Sequence, residues 1–184
     1  TASVSAEESQ YRAVASTIAE TEADLVYFGG ITPNGGPELL KTLRELNSPV
    51  SFMGPDGIFE QDFITRAGKA SEGVYITAIG APPEEVQTQS AEDFLKKYRE
   101  RFNSEPDVFG ALAYDAMKAV IGAIEKTGTA DRKRILKEVR SIERHSGVFG
   151  LWGFDQNGDT TQTLMSGSVI HRGKFVFSKI LTLE

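Results

Sequence analysis

The 184 residues contain no cysteine. That absence removes disulfide frameworks, thiolate zinc sites and cysteine nucleophiles, and it leaves the compartment open. Long apolar runs are missing too: no stretch approaches the ~18 apolar residues of a membrane-spanning helix, and no secretory signal is visible. Positive charge is scarce, since 20 Lys and Arg face 26 Asp and Glu for a net charge of −6. A negative chain is a poor partner for nucleic acid, and its basic residues are scattered. The densest group, Arg132, Lys133 and Arg134, opens an expected helix and reads as a solvated face.

Familiar catalytic signatures are also absent. A Walker-type phosphate loop needs GxxxxGK[ST], and the nearest match, residues 30–36, has no lysine there; neither GxGxxG nor GxSxG occurs. The two histidines, His145 and His171, form no HxxxH pair and read as strand or surface residues. Asp155, Asn157 and Asp159 imitate the start of a calcium loop, but Thr160 stands where its turn glycine belongs and Ser166 where its bidentate glutamate belongs. A hairpin is the better reading. No pair of carboxylates is singled out for acid–base work, no cofactor or metal is expected, and the balance leans to binding rather than catalysis.

What is present centres on residues 24–57, DLVYFGGITPNGGPELLKTLRELNSPVSFMGPDG. Residues 25–28 form an apolar run without polar alternation, as in a parallel strand covered on both faces, and Leu39, Leu40, Leu43 and Leu46 then recur at helical spacing. A β-α-β crossover follows, which makes its two strands parallel. The Gly-rich loops at 29–36 and 54–57 then leave the same edge of the sheet, where open α/β folds place ligands. Asp56 is the one formal charge of those loops, suited to an ammonium or other cation. The plainer reading is that Pro55-Asp56-Gly57 is only a turn.

Before this unit, residues 6–20 carry Tyr11, Val14, Ala15 and Ile18 as a helical stripe, after a polar lead-in at 1–5 that is open to a short strand. An α/β unit that opens on a helix lacks its preceding strand, and the chain starts at Thr1; the expectation is a trimmed or excised product. After the unit come a short helix (60–67), a third strand (73–79) and an Ala-Pro-Pro loop at 81–83. Ser90 is placed as the N-cap of a helix carrying Ala91, Phe94, Leu95, Tyr98 and Phe102, stopped by Asn103 and Pro106. Asp107 caps the longest helix, whose apolar face is Phe109, Leu112, Ala113, Ala116, Met117, Val120, Ile121 and Ile124, and Gly128 ends it. A helix at 131–142, a strand at 147–154, an Asn157-Gly158 hairpin signal and strands at 164–171 and 175–183 complete the order.

The segments DLVYFGG, the helix ending LRELN, FMGPDG, AGKASEGVYIT, FGALAYDAMKAVIGAIEKTG and GVFGLWGFDQNGD, in that order, resemble the periplasmic solute-binding proteins of branched-chain amino-acid ABC transporters. The resemblance implies the α/β type I periplasmic binding fold, with two lobes joined by three crossovers that close on a small molecule. It also implies that this chain is the C-terminal half. Residues 1–80 and 163–184 become most of the second lobe and 84–160 the returning part of the first, the N-terminal lobe being absent.

By the same resemblance, Asp56 grips the ligand ammonium, Ile31 stands where relatives often carry an aromatic, and Phe109 packs near the ligand side chain. The plainer readings are a loop-anchoring aliphatic for Ile31 and a core position for Phe109. The implied partners are an amino acid, branched-chain or otherwise hydrophobic, a membrane ABC permease, and either the missing N-terminal half or a second copy. The implied location is periplasmic or extracellular, with lipid anchoring open. The alternatives are a ligand-sensing receptor ectodomain of the same fold and a small α/β hydrolase or transferase with Asp56 as base.

Overall fold

A computed structural model describes residues 1–3, 8–21 and 23–181. In chain order the elements are α1 (Glu8–Ala19), β1 (Leu25–Tyr27), α2 (Gly36–Glu45), β2 (Ser51–Gly54), α3 (Gln61–Ala67), β3 (Tyr75–Ile79), α4 (Gln89–Phe102), α5 (Val108–Thr127), α6 (Arg132–Arg140), β4 (His145–Gly147), β5 (Gly150–Trp152), β6 (Met165–His171) and β7 (Lys174–Leu181). They fall into two compact units, Thr1–Ile79 with Met165–Leu181, and Gly80–Leu164. The expected lead-in strand lies partly outside the described residues. Among the described residues no helix is long and apolar enough to cross a membrane.

The first unit is a five-stranded α/β sheet in the order β1-β2-β3-β6-β7. β1 and β2 are parallel with Val26 opposite Phe52, β2 and β3 are parallel, and β6 and β7 add antiparallel. The alternation of side chains decides where the core lies. Phe28, Phe52, Val74, Ile76 and Ile170 point to one face, where Ala15 of α1, Leu39, Leu40 and Leu43 of α2, and Phe63 and Ile64 of α3 close over them. The Phe28, Phe52 and Phe63 rings form a row with centroids 6.0 and 6.5 Å apart.

Two sequence expectations fail in this unit. β1 is not covered on both faces: it is an edge strand whose Leu25 and Tyr27 are exposed, as are Tyr75 and Ile79 of the same sheet face. Apolar character along a short run reports hydrophobicity and not which neighbours cover it. Leu46, placed in the buried stripe of α2, instead forms the helix C-cap and is exposed.

In the second unit Thr88, not Ser90, caps α4. Its hydroxyl accepts from the Ala91 amide at 3.0 Å and donates to the Val148 carbonyl at 2.8 Å, while Ser90, already inside the first turn, meets Ser146 Oγ at 3.2 Å. Asn103 and Gly128 end α4 and α5 in the left-handed region, and Asp107 caps α5 through a 2.6 Å bond to the Gly110 amide. The buried face of α5 is Val108, Ala111, Asp115, Ala119 and Ala123, at spacings of three and four. The large apolar residues placed in its core face, Phe109, Met117, Val120, Ile121 and Ile124, are exposed.

The strand expected at 147–154 is a tight hairpin of β4 and β5, closed by Val148 and Phe149 with Gly150 at φ 104°. Asn157-Gly158 does form a turn: Asp155 accepts from the Asn157 and Asp159 amides at 2.8 and 2.9 Å, and Phe154 bridges Thr160 in antiparallel fashion.

Candidate ligand-binding site

Parallel pairing of β1 and β2 sends both following loops out of the same sheet edge. The first continues through Gly29 and Gly30 to Ile31, then enters a 3-10 turn, Thr32–Asn34, fastened by the Asn34 amide on the Ile31 carbonyl at 2.9 Å and the Ile31 amide on Asn34 Oδ1 at 3.2 Å. The second leaves Gly54 through Pro55 into a 3-10 turn, Asp56–Ile58, closed by the Ile58 amide on the Pro55 carbonyl at 3.1 Å. Pro-Asp-Gly therefore is a turn, and the turn is also what presents the carboxylate.

The loops meet at Gly57. A Cβ there would lie 2.7 Å from Ile31 Cγ2 and 2.9 Å from the Gly30 carbonyl oxygen, so only a glycine permits this approach. Ile31 and Asp56 consequently share one rim. Ile31 is half exposed, an apolar surface at the loop crest. Asp56 is half-buried, and among the described residues its carboxylate has no hydrogen bond or ion pair. An acceptor with open valences beside an apolar side chain suits a ligand with a cationic head and an apolar body.

Behind the rim is a polar tie. Arg66 of α3 reaches Glu38 Oε1 through Nε at 3.2 Å and Nη2 at 2.8 Å, and its Nη1 approaches the Thr32 carbonyl at 3.4 Å. Asp62, one turn earlier, stands 3.6 Å from Nη1. The Glu38 carboxylate keeps the guanidinium protonated above its ordinary range. The Thr32 hydroxyl and Glu38 Oε2 are buried with no hydrogen-bond partner. Sequence reasoning missed Arg66, Glu38 and Thr32. Only the Asp62/Arg66 spacing of four was visible, and it says nothing of a partner 28 residues away.

Phe109, the third expected site residue, lies in the second unit, in the first turn of α5, where it is partly exposed. The structure thus brings Ile31 and Asp56 together within one unit and leaves Phe109 in the other. A groove of about 740 Å³ also runs in the second unit, lined by Tyr114, Lys118, Ile121, Glu138 and His145 among others, and none of the three expected residues contributes to it. Asp115, 5% exposed, accepts from the Val148 amide at 2.7 Å and holds the β4–β5 turn onto α5. Burial raises its pKa against the opposing pull of that amide.

The family model described as periplasmic binding protein matches residues 1–173. The chain belongs to this family. Among curated relatives it is similar to the leucine-, isoleucine-, valine-, threonine- and alanine-binding protein of Pseudomonas aeruginosa, 29% identical over 157 residues, covering 85% of this chain and 40% of that one. A Leu/Ile/Val-binding protein homolog of Brucella abortus is 24% identical over 152 residues, covering 83% and 40%. Among solved structures, the leucine-binding protein LivK of Thermotoga maritima superposes with a TM-score of 0.80 at 26% identity, covering 93% of this chain and 48% of that one. The branched-chain amino acid transporter substrate binding protein LivJ of Streptococcus pneumoniae, in complex with isoleucine, gives 0.74 at 23% identity over 92% and 47%, a likeness of fold. The chain thus spans about 40% of the length of the curated relatives it matches. Its α/β fold, with β1, β2 and β3 paired in parallel, is the type I periplasmic binding fold of these relatives.

Proposed function

We propose that the chain is part of the extracytoplasmic solute-binding component of an ABC importer, and that it captures an amino acid with an aliphatic side chain. The observation that carries this reading is the rim at Gly57, where an unpaired, half-buried carboxylate stands beside an exposed aliphatic side chain at the ends of two parallel strands. Relatives named for leucine, isoleucine and valine binding support the ligand class. On this reading the two units are the larger part of one lobe and the returning part of the other, no bond is made or broken, and the ligand is passed to a membrane permease.

Asp56 accepts from the ligand ammonium, a charge-assisted contact worth roughly 1.5 to 3 kcal/mol. Ile31 covers the ligand side chain at about 25 cal/mol per Å² of apolar surface removed from water. Contacts that exist only in the shut form then favour closure around the ligand. The experiment is titration calorimetry of L-leucine, L-isoleucine and L-valine into the protein produced from its complete gene, with and without Asp56→Ala. The substitution is expected to abolish measurable binding. Affinity retained within about threefold, well under the ~1.4 kcal/mol of a tenfold change, contradicts the ammonium role.

A further inference from the structure

We infer that Arg66 is a positioning residue that fixes the spacing between the two site loops, and with it the affinity of the rim for its ligand. The inference rests on the function proposed above. α3 begins three residues after the Asp56–Ile58 turn, so Arg66 moves with the loop that carries Asp56. Its guanidinium grips the other loop at two places: the carbonyl of Thr32, next to Ile31, at 3.4 Å, and Glu38 in the first turn of α2 at 2.8 Å. The loops also pack closely at Gly57, where a side chain would run into Ile31 and the Gly30 carbonyl. That contact keeps the loops from coming nearer. The Arg66 fork keeps them from moving apart.

The chemistry requires arginine. One planar group must reach a carbonyl and a carboxylate together, which a lysine ammonium on a flexible stem does not reproduce. Glu38 Oε2 is already buried without a hydrogen-bond partner, and among the described residues the donors that reach this carboxylate's other oxygen are those of Arg66. Loss of Arg66 leaves a partly buried Glu38 carboxylate without its counter-charge, and the cheapest relief is for the loop to swing toward water, carrying Ile31 away from Asp56. The pair is itself partly exposed, its side chains being 31% and 26% accessible, so its share in overall stability is small.

This separates positioning from mere support. Arg66→Lys and Arg66→Met are made in the protein from its complete gene, and each is measured for melting temperature, L-leucine affinity by calorimetry, and backbone amide shifts without ligand. Arg66→Lys is expected to melt within ~2 °C of the parent, to bind L-leucine roughly tenfold more weakly, and to shift the amide signals of Gly30, Ile31 and Gly57. A lysine variant with parental affinity and unmoved rim amides overturns the inference, as does affinity lost only in step with melting temperature. If the parent binds none of the aliphatic amino acids, it is the proposed function that fails, and the rim amides alone decide the role of Arg66. If Arg66→Met does not fold, the lysine variant carries the test.

Discussion

Gly57 is the residue through which the two site loops touch, and its missing side chain is a requirement of packing. A methyl group there meets the Gly30 carbonyl, which is backbone and cannot step aside like the end of a flexible side chain. Gly57→Ala is therefore expected to destabilise by ~1–3 kcal/mol through overpacking, read by chemical denaturation, and to weaken ligand binding by parting Ile31 from Asp56. Two other carboxylates give opposite pH responses. Burial lifts the Asp115 pKa, so between the ordinary carboxylate range and that raised value the folded chain holds a proton the unfolded chain has lost. Stability then falls as pH rises through that window, and Asp115→Asn should flatten the decline. The Asp159, Asn157 and Gly158 amides lower the Asp155 pKa, so its contribution is present above the unfolded value and is lost as pH falls through the folded one. A proton titration followed residue by residue checks both directions.

Among the elements, the capping of α4 separates what the sequence shows from what the structure adds. Thr88→Ala removes both the cap to Ala91 and the bond to the Val148 carbonyl, and is expected to cost about 1–2 kcal/mol. Ser90→Ala should cost under ~0.5 kcal/mol, and equal effects in thermal melts would contradict this assignment. Most helices and strands were legible because leucine spacing and glycine or asparagine stops report local geometry directly: α2, β2, β3 and the Asp107 cap of α5 follow that way. The face of α5 was not legible. Periodicity marks the largest apolar residues, whereas burial depends on which face meets a neighbour, and here the neighbour fits a stripe of alanines and Asp115. The hairpin at 145–152 differs from the single strand expected at 147–154 because apolar residues continue across its turn, where Gly150 takes a positive φ. That the loops carrying Ile31 and Asp56 leave one edge of the sheet is legible because parallel β-α-β topology requires it; the Arg66 tie spans 28 residues with no periodic signal.

At the scale of the whole molecule, the matched relatives are more than twice the length this chain covers. If the proposed function holds, a ligand gripped by more of the protein than these 184 residues loses contact without the rest, so the chain alone is expected to bind aliphatic amino acids weakly or not at all. Micromolar affinity for the isolated chain by calorimetry would overturn that. The exposed sheet face of Leu25, Tyr27, Tyr75 and Ile79 and the exposed apolar residues of α5 are the surfaces most prone to self-association in the isolated chain, to be read by sedimentation. Whether a carboxylate and an aliphatic side chain on one rim receive the two ends of an amino acid is decided by a crystal structure of the protein from its complete gene with L-leucine bound. The expected result is an ammonium nitrogen within ~3 Å of the Asp56 carboxylate, with the leucine side chain against Ile31. An ammonium held by other groups, with Asp56 turned to a lysine or arginine, would contradict it.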